Sequence, residues 1–94
     1  MTQVTKKAAS ILIVEDTVAQ ATRLKSKLEG GYPCAVRVAY TGEDGLDAAH
    51  EHAFDLIILD VELPGISGFE VCRQLKADVQ FADVPIIMLT TRDR

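Results

Sequence analysis

Leu56-Ile57-Ile58-Leu59, followed at once by Asp60 and then by the turn Leu63-Pro64-Gly65, is the stretch whose reading decides the fold. Four aliphatic residues in a row, without alternation and bounded by loop formers, read as a strand covered on both faces in a parallel sheet. That strand is expected over Phe54 to Leu59. Ile11-Leu12-Ile13-Val14 repeats the pattern and runs into Glu15-Asp16, while Ile86-Ile87-Met88-Leu89 ends at the hydroxyl of Thr90. Carboxylates placed where such strands finish lie at the rim of the sheet, where α/β proteins bind ligands. Three strand ends thus offer two acids, one acid and one hydroxyl.

Between these strands the spacing turns helical. Ser10 to Val14 is the first strand, and Thr17-Val-Ala-Gln20 has the form of a capping box, so a helix is expected to start there. Ala21, Leu24 and Leu28 share one face of it, and Gly30-Gly31 is expected to stop it as a C-terminal glycine cap. Pro33 leads into a second strand over Cys34 to Ala39. Thr41-Gly42-Glu43-Asp44 opens a second helix with Leu46, Ala49 and Ala53 on its apolar face. Ser67-Gly-Phe-Glu70 is another capping box and opens a third helix with Val71, Cys72 and Leu75 inward. The resulting order, βαβαβαβ, argues for an α/β parallel sheet with right-handed crossovers. Residues 1–9 read as a flexible arm and residues 10–94 as one domain.

Composition narrows the function classes. Ten basic residues against fourteen acidic ones give a net charge of −4, which argues against broad attraction to nucleic acid or anionic membrane. The apolar runs are too short to span a bilayer, and Met1 to Ala9 lacks the apolar core of a secretory signal, so the expected location is cytoplasmic. Cys34 and Cys72 have no metal or redox spacing and read as reduced core thiols. His50-Glu51-His52 is not a metal motif: two residues apart on a helix is roughly 200°, so the imidazoles face away from each other.

The acids do form a cation motif. Mg2+ takes hard oxygen ligands in a near-octahedral shell and keeps several waters. Asp16 and Asp60 are candidate direct ligands, Glu15 binds directly or through water, and the backbone carbonyl of Glu62 completes the protein's share. Crowded carboxylates repel one another, and a dication relieves the repulsion. A plainer reading has Glu15 or Asp16 favouring a helix N-terminus, which leaves Asp60 unexplained. Glu15-Asp16 and Asp60 can share one ion only if the first and third strands are neighbours, which gives the strand order 2-1-3-4. A carboxylate held as Asp60 is can also attack phosphorus to form an acyl phosphate, and the Thr90 hydroxyl could donate to a phosphoryl oxygen.

These residues resemble the receiver domain of bacterial two-component response regulators. The matching pieces are Ile11 to Asp16, Thr41-Gly-Glu-Asp-Gly-Leu46, Asp55 through Asp60 to Gly68, and Val84-Pro-Ile-Ile-Met-Leu-Thr90, in order and spaced over about Ser10 to Thr91. The resemblance implies a flavodoxin-like doubly wound sheet and a regulatory domain rather than an enzyme. Asp60 would accept a phosphoryl group from a phosphohistidine on a sensor histidine kinase or phosphotransfer protein. Glu15 and Asp16 would hold Mg2+, and Thr90 would contact the phosphoryl group and swing toward it on activation.

Departures from the family pattern accompany the match. Receiver domains usually continue into one more helix, a fifth strand, which carries a lysine and an aromatic switch residue, and a last helix, so residues 10–94 read as a receiver domain incomplete at its C-terminus. Neither residue is found here, and Lys76 falls on a helix. Ser67 stands where many relatives have an acid, and Thr91 where alanine is common. With the fourth strand as an edge, Ile86–Leu89 invites pairing with another chain, and three outcomes are open: a homodimer through that edge, exchange of segments, or marginal stability alone. Two other functions stay open: a receiver that docks without phosphorylation, and an aspartate-nucleophile phosphatase in which Glu62, two residues after Asp60, is the second acid.

Overall fold

Three parallel strand pairings organise the chain, described over residues 8–90 in a computed structural model. In chain order the elements are β1 (Ala9–Val14), α1 (Val18–Gly31), β2 (Cys34–Ala39), α2 (Gly42–Glu51), β3 (Leu56–Asp60), α3 (Gly68–Lys76), a 3-10 turn (Val79–Phe81) and β4 (Ile86–Leu89). The sheet order is β2-β1-β3-β4, as expected from a cation shared between the ends of β1 and β3. Val14 pairs with Leu59 and Asp60 with Leu89, so β1, β3 and β4 finish side by side. Thr91, Arg92 and Arg94, and the expected N-terminal arm as far as residue 7, lie outside the described residues.

Several boundaries differ from expectation, each for a local reason. β1 begins at Ala9, not Ser10, because the Ala9 N–H donates to the Pro33 carbonyl at 3.0 Å. β3 starts at Leu56, not Phe54. The preceding residues are held differently: the Ser10 N–H donates to Asp55 Oδ2 at 2.8 Å and the Asp55 N–H donates back to the Ser10 carbonyl at 2.7 Å. Gly30 and Gly31 do not form a left-handed cap; both stay in α1, which ends at extended Tyr32, and among the described residues only Gly65 has a positive φ. Pro33 gives the reason, since the residue before a proline is pushed out of the helical region. α2 closes at Glu51, leaving Ala53 exposed beyond it, and its buried face is the small-residue row Gly42, Gly45, Ala48 and Ala49.

The helix starts divide in the same way. Thr41 Oγ1 accepts from the Asp44 N–H at 3.0 Å and Ser67 Oγ from the Glu70 N–H at 3.1 Å, so both caps form. Glu70 does not complete its box. Its carboxylate turns to Arg73 and Gln74, which hold its pKa down to about 2. At α1 the Thr17 side chain makes no cap bond, and the Thr17 N–H is taken by Glu15 Oε2 at 2.9 Å.

Alternation on the strands divides the core. Leu12, Val14, Ile57 and Leu59 pack with Ala48 and Ala49 of α2, Val71 and Leu75 of α3, and Phe81. Ile11, Ile13, Val36 and Ile58 form a second cluster, against which Leu24 and Leu28 of α1 are only partly buried. α3 starts close against β3, since a Cβ on Gly68 would collide with the carbonyl oxygen of Asp60. That close approach needs glycine.

The 3-10 turn was not foreseen in the sequence. Asp78 caps it, with Oδ1 accepting from the Gln80 N–H at 2.9 Å, and Phe81 buries its ring. His50 of α2 stacks edge-on against Phe81 at 5.1 Å, while its Nδ1 lies 2.8 Å from the Leu46 carbonyl and its Nε2 3.2 Å from Asp78 Oδ2. A carbonyl and a carboxylate are both acceptors, so the arrangement suits the doubly protonated ring. The Leu46 carbonyl, then Asp78, raise the His50 pKa above 6.5. Stability from a raised histidine pKa is fully present below the unfolded value and fades as pH rises through the folded one. Replacing His50 with Gln is therefore expected to lower the melting temperature more on the acid side of pH 6.5 than at alkaline pH. A loss equal at both would show that the ring's charge contributes nothing.

Candidate functional site

The ends of β1 and β3 bring Glu15, Asp16 and Asp60 together. Each offers a carboxylate oxygen, and these oxygens lie within 4.8 Å of one another. Adjacency follows from register: Val14 pairs with Leu59, so the next residue on each strand is an acid. Glu15 and Asp60 are each only 4% exposed, while Asp16 faces solvent. Strand ends fix the first two, and the turn into α1 carries the third.

Electrostatics make this cluster costly. Burial pushes the Glu15 pKa up, the Thr17 N–H opposes the shift, and the Asp60 and Asp16 carboxylates add to it. Two buried carboxylates at this separation repel by on the order of 1–3 kcal/mol in an effective protein dielectric. Partial relief comes from the backbone: the Glu62 N–H donates to Asp60 Oδ1 at 3.2 Å. Only oxygen donors meet here, two of them buried and mutually repelling. That donor set fits a small hard dication.

The other expected residues sit around the cluster. Glu62 is exposed on the loop after β3, and its N–H is the group seen to engage Asp60. Thr90 is exposed and directly follows Leu89, the register partner of Asp60. Glu15 combines the two readings weighed for it, since it joins the cluster and also serves the N-terminus of α1 through Thr17.

Three residues of α1 were missed by sequence reasoning. Gln20, Arg23 and Lys27 line a cavity of about 300 Å3 whose walls include Ile13, Ile58 and Leu89 and which reaches Glu15 and Asp60. Gln20 Oε1 is buried without a hydrogen-bond partner. In a complete capping box the Gln20 side chain would accept the Thr17 N–H, which Glu15 Oε2 accepts instead. Arg23 and Lys27 follow the helical spacing of Gln20, and that spacing was the available signal.

Comparison with known proteins agrees with this geometry. Residues 11–94 match the family model of the response regulator receiver domain. The chain is 49% identical over 85 residues to the uncharacterized transcriptional regulatory protein YkoG of Bacillus subtilis, covering 88% of this chain and 35% of that protein. It spans about a third of the length of the first two curated relatives. Among solved structures, chemotaxis response regulator CheY4 of Vibrio cholerae superposes with a TM-score of 0.84 at 31% identity, covering 93% of this chain and 72% of that one. The receiver domain of sensor histidine kinase PA1611 from Pseudomonas aeruginosa superposes with a TM-score of 0.81 at 30% identity, over 90% of this chain and 69% of that one. Its structure has a magnesium ion coordinated in the active site cleft. Among the described residues, no helix is long and apolar enough to cross a membrane. The strand order, the shared acidic rim and the family match converge on one conclusion: this chain belongs to the response regulator receiver domain family.

Proposed function

We propose that Asp60 is a phosphoacceptor, receiving a phosphoryl group from the phosphohistidine of a sensor histidine kinase or phosphotransfer protein. The observation that carries this reading is the buried Asp60 carboxylate beside Glu15 at neighbouring strand ends. In the transfer, an Asp60 carboxylate oxygen supplies the electron pair for a new P–O bond. The P–N bond of the donor breaks, and the imidazole nitrogen leaves with its bonding pair. Hydrolysis of the acyl phosphate returns the carboxylate and inorganic phosphate, which makes the domain a resettable switch rather than an enzyme acting on a separate substrate.

Glu15, Asp16, Asp60 and the Glu62 carbonyl are the groups that would hold Mg2+. When bound, the ion supplies positive charge where the phosphoryl oxygens gather negative charge. The chain's own part is orientation. The Glu62 N–H aims the Asp60 carboxylate, and the Thr17 N–H holds Glu15. Thr90, one residue past the partner of Asp60, is assigned the phosphoryl contact and the switch. A phosphoaspartate adds roughly one to two negative charges there, enough to bias a two-state loop.

Intact-mass spectrometry after incubation with acetyl phosphate tests the assignment. One added phosphoryl group is expected, dependent on Mg2+ and absent from Asp60→Asn. An adduct that survives Asp60→Asn would refute it.

A further inference from the structure

The loop that leaves Asp60 is tied to β3 at its start and closed on its own first residue at its finish. Near its start the Glu62 N–H donates to Asp60 Oδ1, and at its finish the Gly68 N–H donates to the Val61 carbonyl at 3.0 Å. Its middle is held from another element. Glu43, in the first turn of α2, accepts the Ile66 N–H through Oε2 at 3.4 Å.

Glycines on both sides make this contact possible. A Cβ on Gly42 would come within 2.7 Å of Ile66 Cγ1 and 3.0 Å of the Ile66 carbonyl oxygen. A Cβ on Gly65 would lie 2.8 Å from Glu43 Oε2 and 3.2 Å from Oε1. Gly65 also has a φ of 72°, which glycine adopts without strain and which, after Pro64, suits a type II turn. The corner between β2 and α2 thus presses a carboxylate onto the turn of the phosphoacceptor loop. Leu63 and Ile66 add partial apolar burial, which resists lifting of the loop but supplies no directed bond.

We propose that Glu43 is a positioning residue for the Asp60 site, its carboxylate clasping the Gly65-Ile66 turn and so fixing the loop that carries Glu62 against Asp60. The proposal rests on the phosphoacceptor reading for its consequence but not for the clasp itself. Glu43 touches no reacting atom. It acts through the placement of the Glu62 backbone, whose N–H engages Asp60 and whose carbonyl is the assigned ion ligand. An acceptor at this position matters, and its charge does not.

Two variants of the whole chain separate these effects. Glu43→Gln keeps an acceptor oxygen of the same reach, and Glu43→Ala removes it. Amide hydrogen exchange at Ile66 and Glu62 is read without Mg2+ or phosphoryl donor, and the rate of the acetyl phosphate adduct is read separately with Mg2+. Glu43→Ala is expected to speed exchange at Ile66 by about threefold to tenfold, the range for one modest hydrogen bond, and to slow adduct formation by a similar factor. Glu43→Gln is expected to restore both, with melting temperatures nearly unchanged. Wild-type exchange in Glu43→Ala would overturn the clasp, and equal defects in both variants would overturn the role of the acceptor. Faster Ile66 exchange with an unaltered adduct rate would overturn the positioning role. If the wild type itself takes no adduct, the phosphoacceptor reading fails, and the Ile66 exchange still decides whether the clasp exists.

Discussion

Two carboxylates buried at the ends of adjacent parallel strands are the constraint around which the rest of this structure is arranged. Register leaves no freedom in the matter: once Val14 lies beside Leu59, Glu15 and Asp60 follow as neighbours. Both are almost fully removed from solvent. Burial, and then repulsion from Asp60 and Asp16, disfavour the charged form of Glu15, whose pKa is raised. A fold selected only for stability would place apolar or singly charged groups there. Concentrated like charge at the carboxyl ends of parallel strands is the arrangement that the proposed cation site requires.

The neighbouring elements read as answers to that constraint. Backbone N–H groups are directed at both acids, Thr17 to Glu15 and Glu62 to Asp60. Each comes from a residue two positions further along, so each strand end turns back to serve its own carboxylate. Gly68 lets α3 begin against the Asp60 carbonyl, which holds the loop between them short and close. α2 reaches across with Glu43 to the same loop. The sheet supplies the positions of the acids, and the N-cap of α1 and the loop after β3 supply the N–H groups that engage them.

Much of this was legible in the residues. Unbroken aliphatic runs ending in acid gave the parallel strands, and the need for Glu15-Asp16 and Asp60 to meet gave the order β2-β1-β3-β4. The Thr41 and Ser67 caps were equally plain. What sequence could not supply were choices between competing partners. Thr17 and Gln20 spell a capping box, yet a better acceptor, Glu15, already held the Thr17 N–H. Gly30-Gly31 spells a helix stop, yet Pro33 ended the helix through Tyr32. The Asp78 turn and its His50 contact join residues 28 positions apart, which no local pattern reports. The Glu43 clasp is of the same kind, a contact across 23 positions between the first turn of α2 and the loop after β3.

Thermal unfolding of the wild type and Asp60→Asn, each with and without Mg2+, tests most directly whether like charge held at this rim awaits a cation. Asparagine nearly matches the shape of aspartate and removes one of the repelling charges. Without Mg2+, Asp60→Asn is expected to be the more stable protein, by on the order of 1–2 kcal/mol. Added Mg2+ is expected to stabilise the wild type and to narrow or close that gap, because an ion that binds the folded state raises its stability by mass action. An Asp60→Asn protein no more stable than the wild type, with Mg2+ leaving both unmoved, would contradict a strained anionic site and a cation that relieves it.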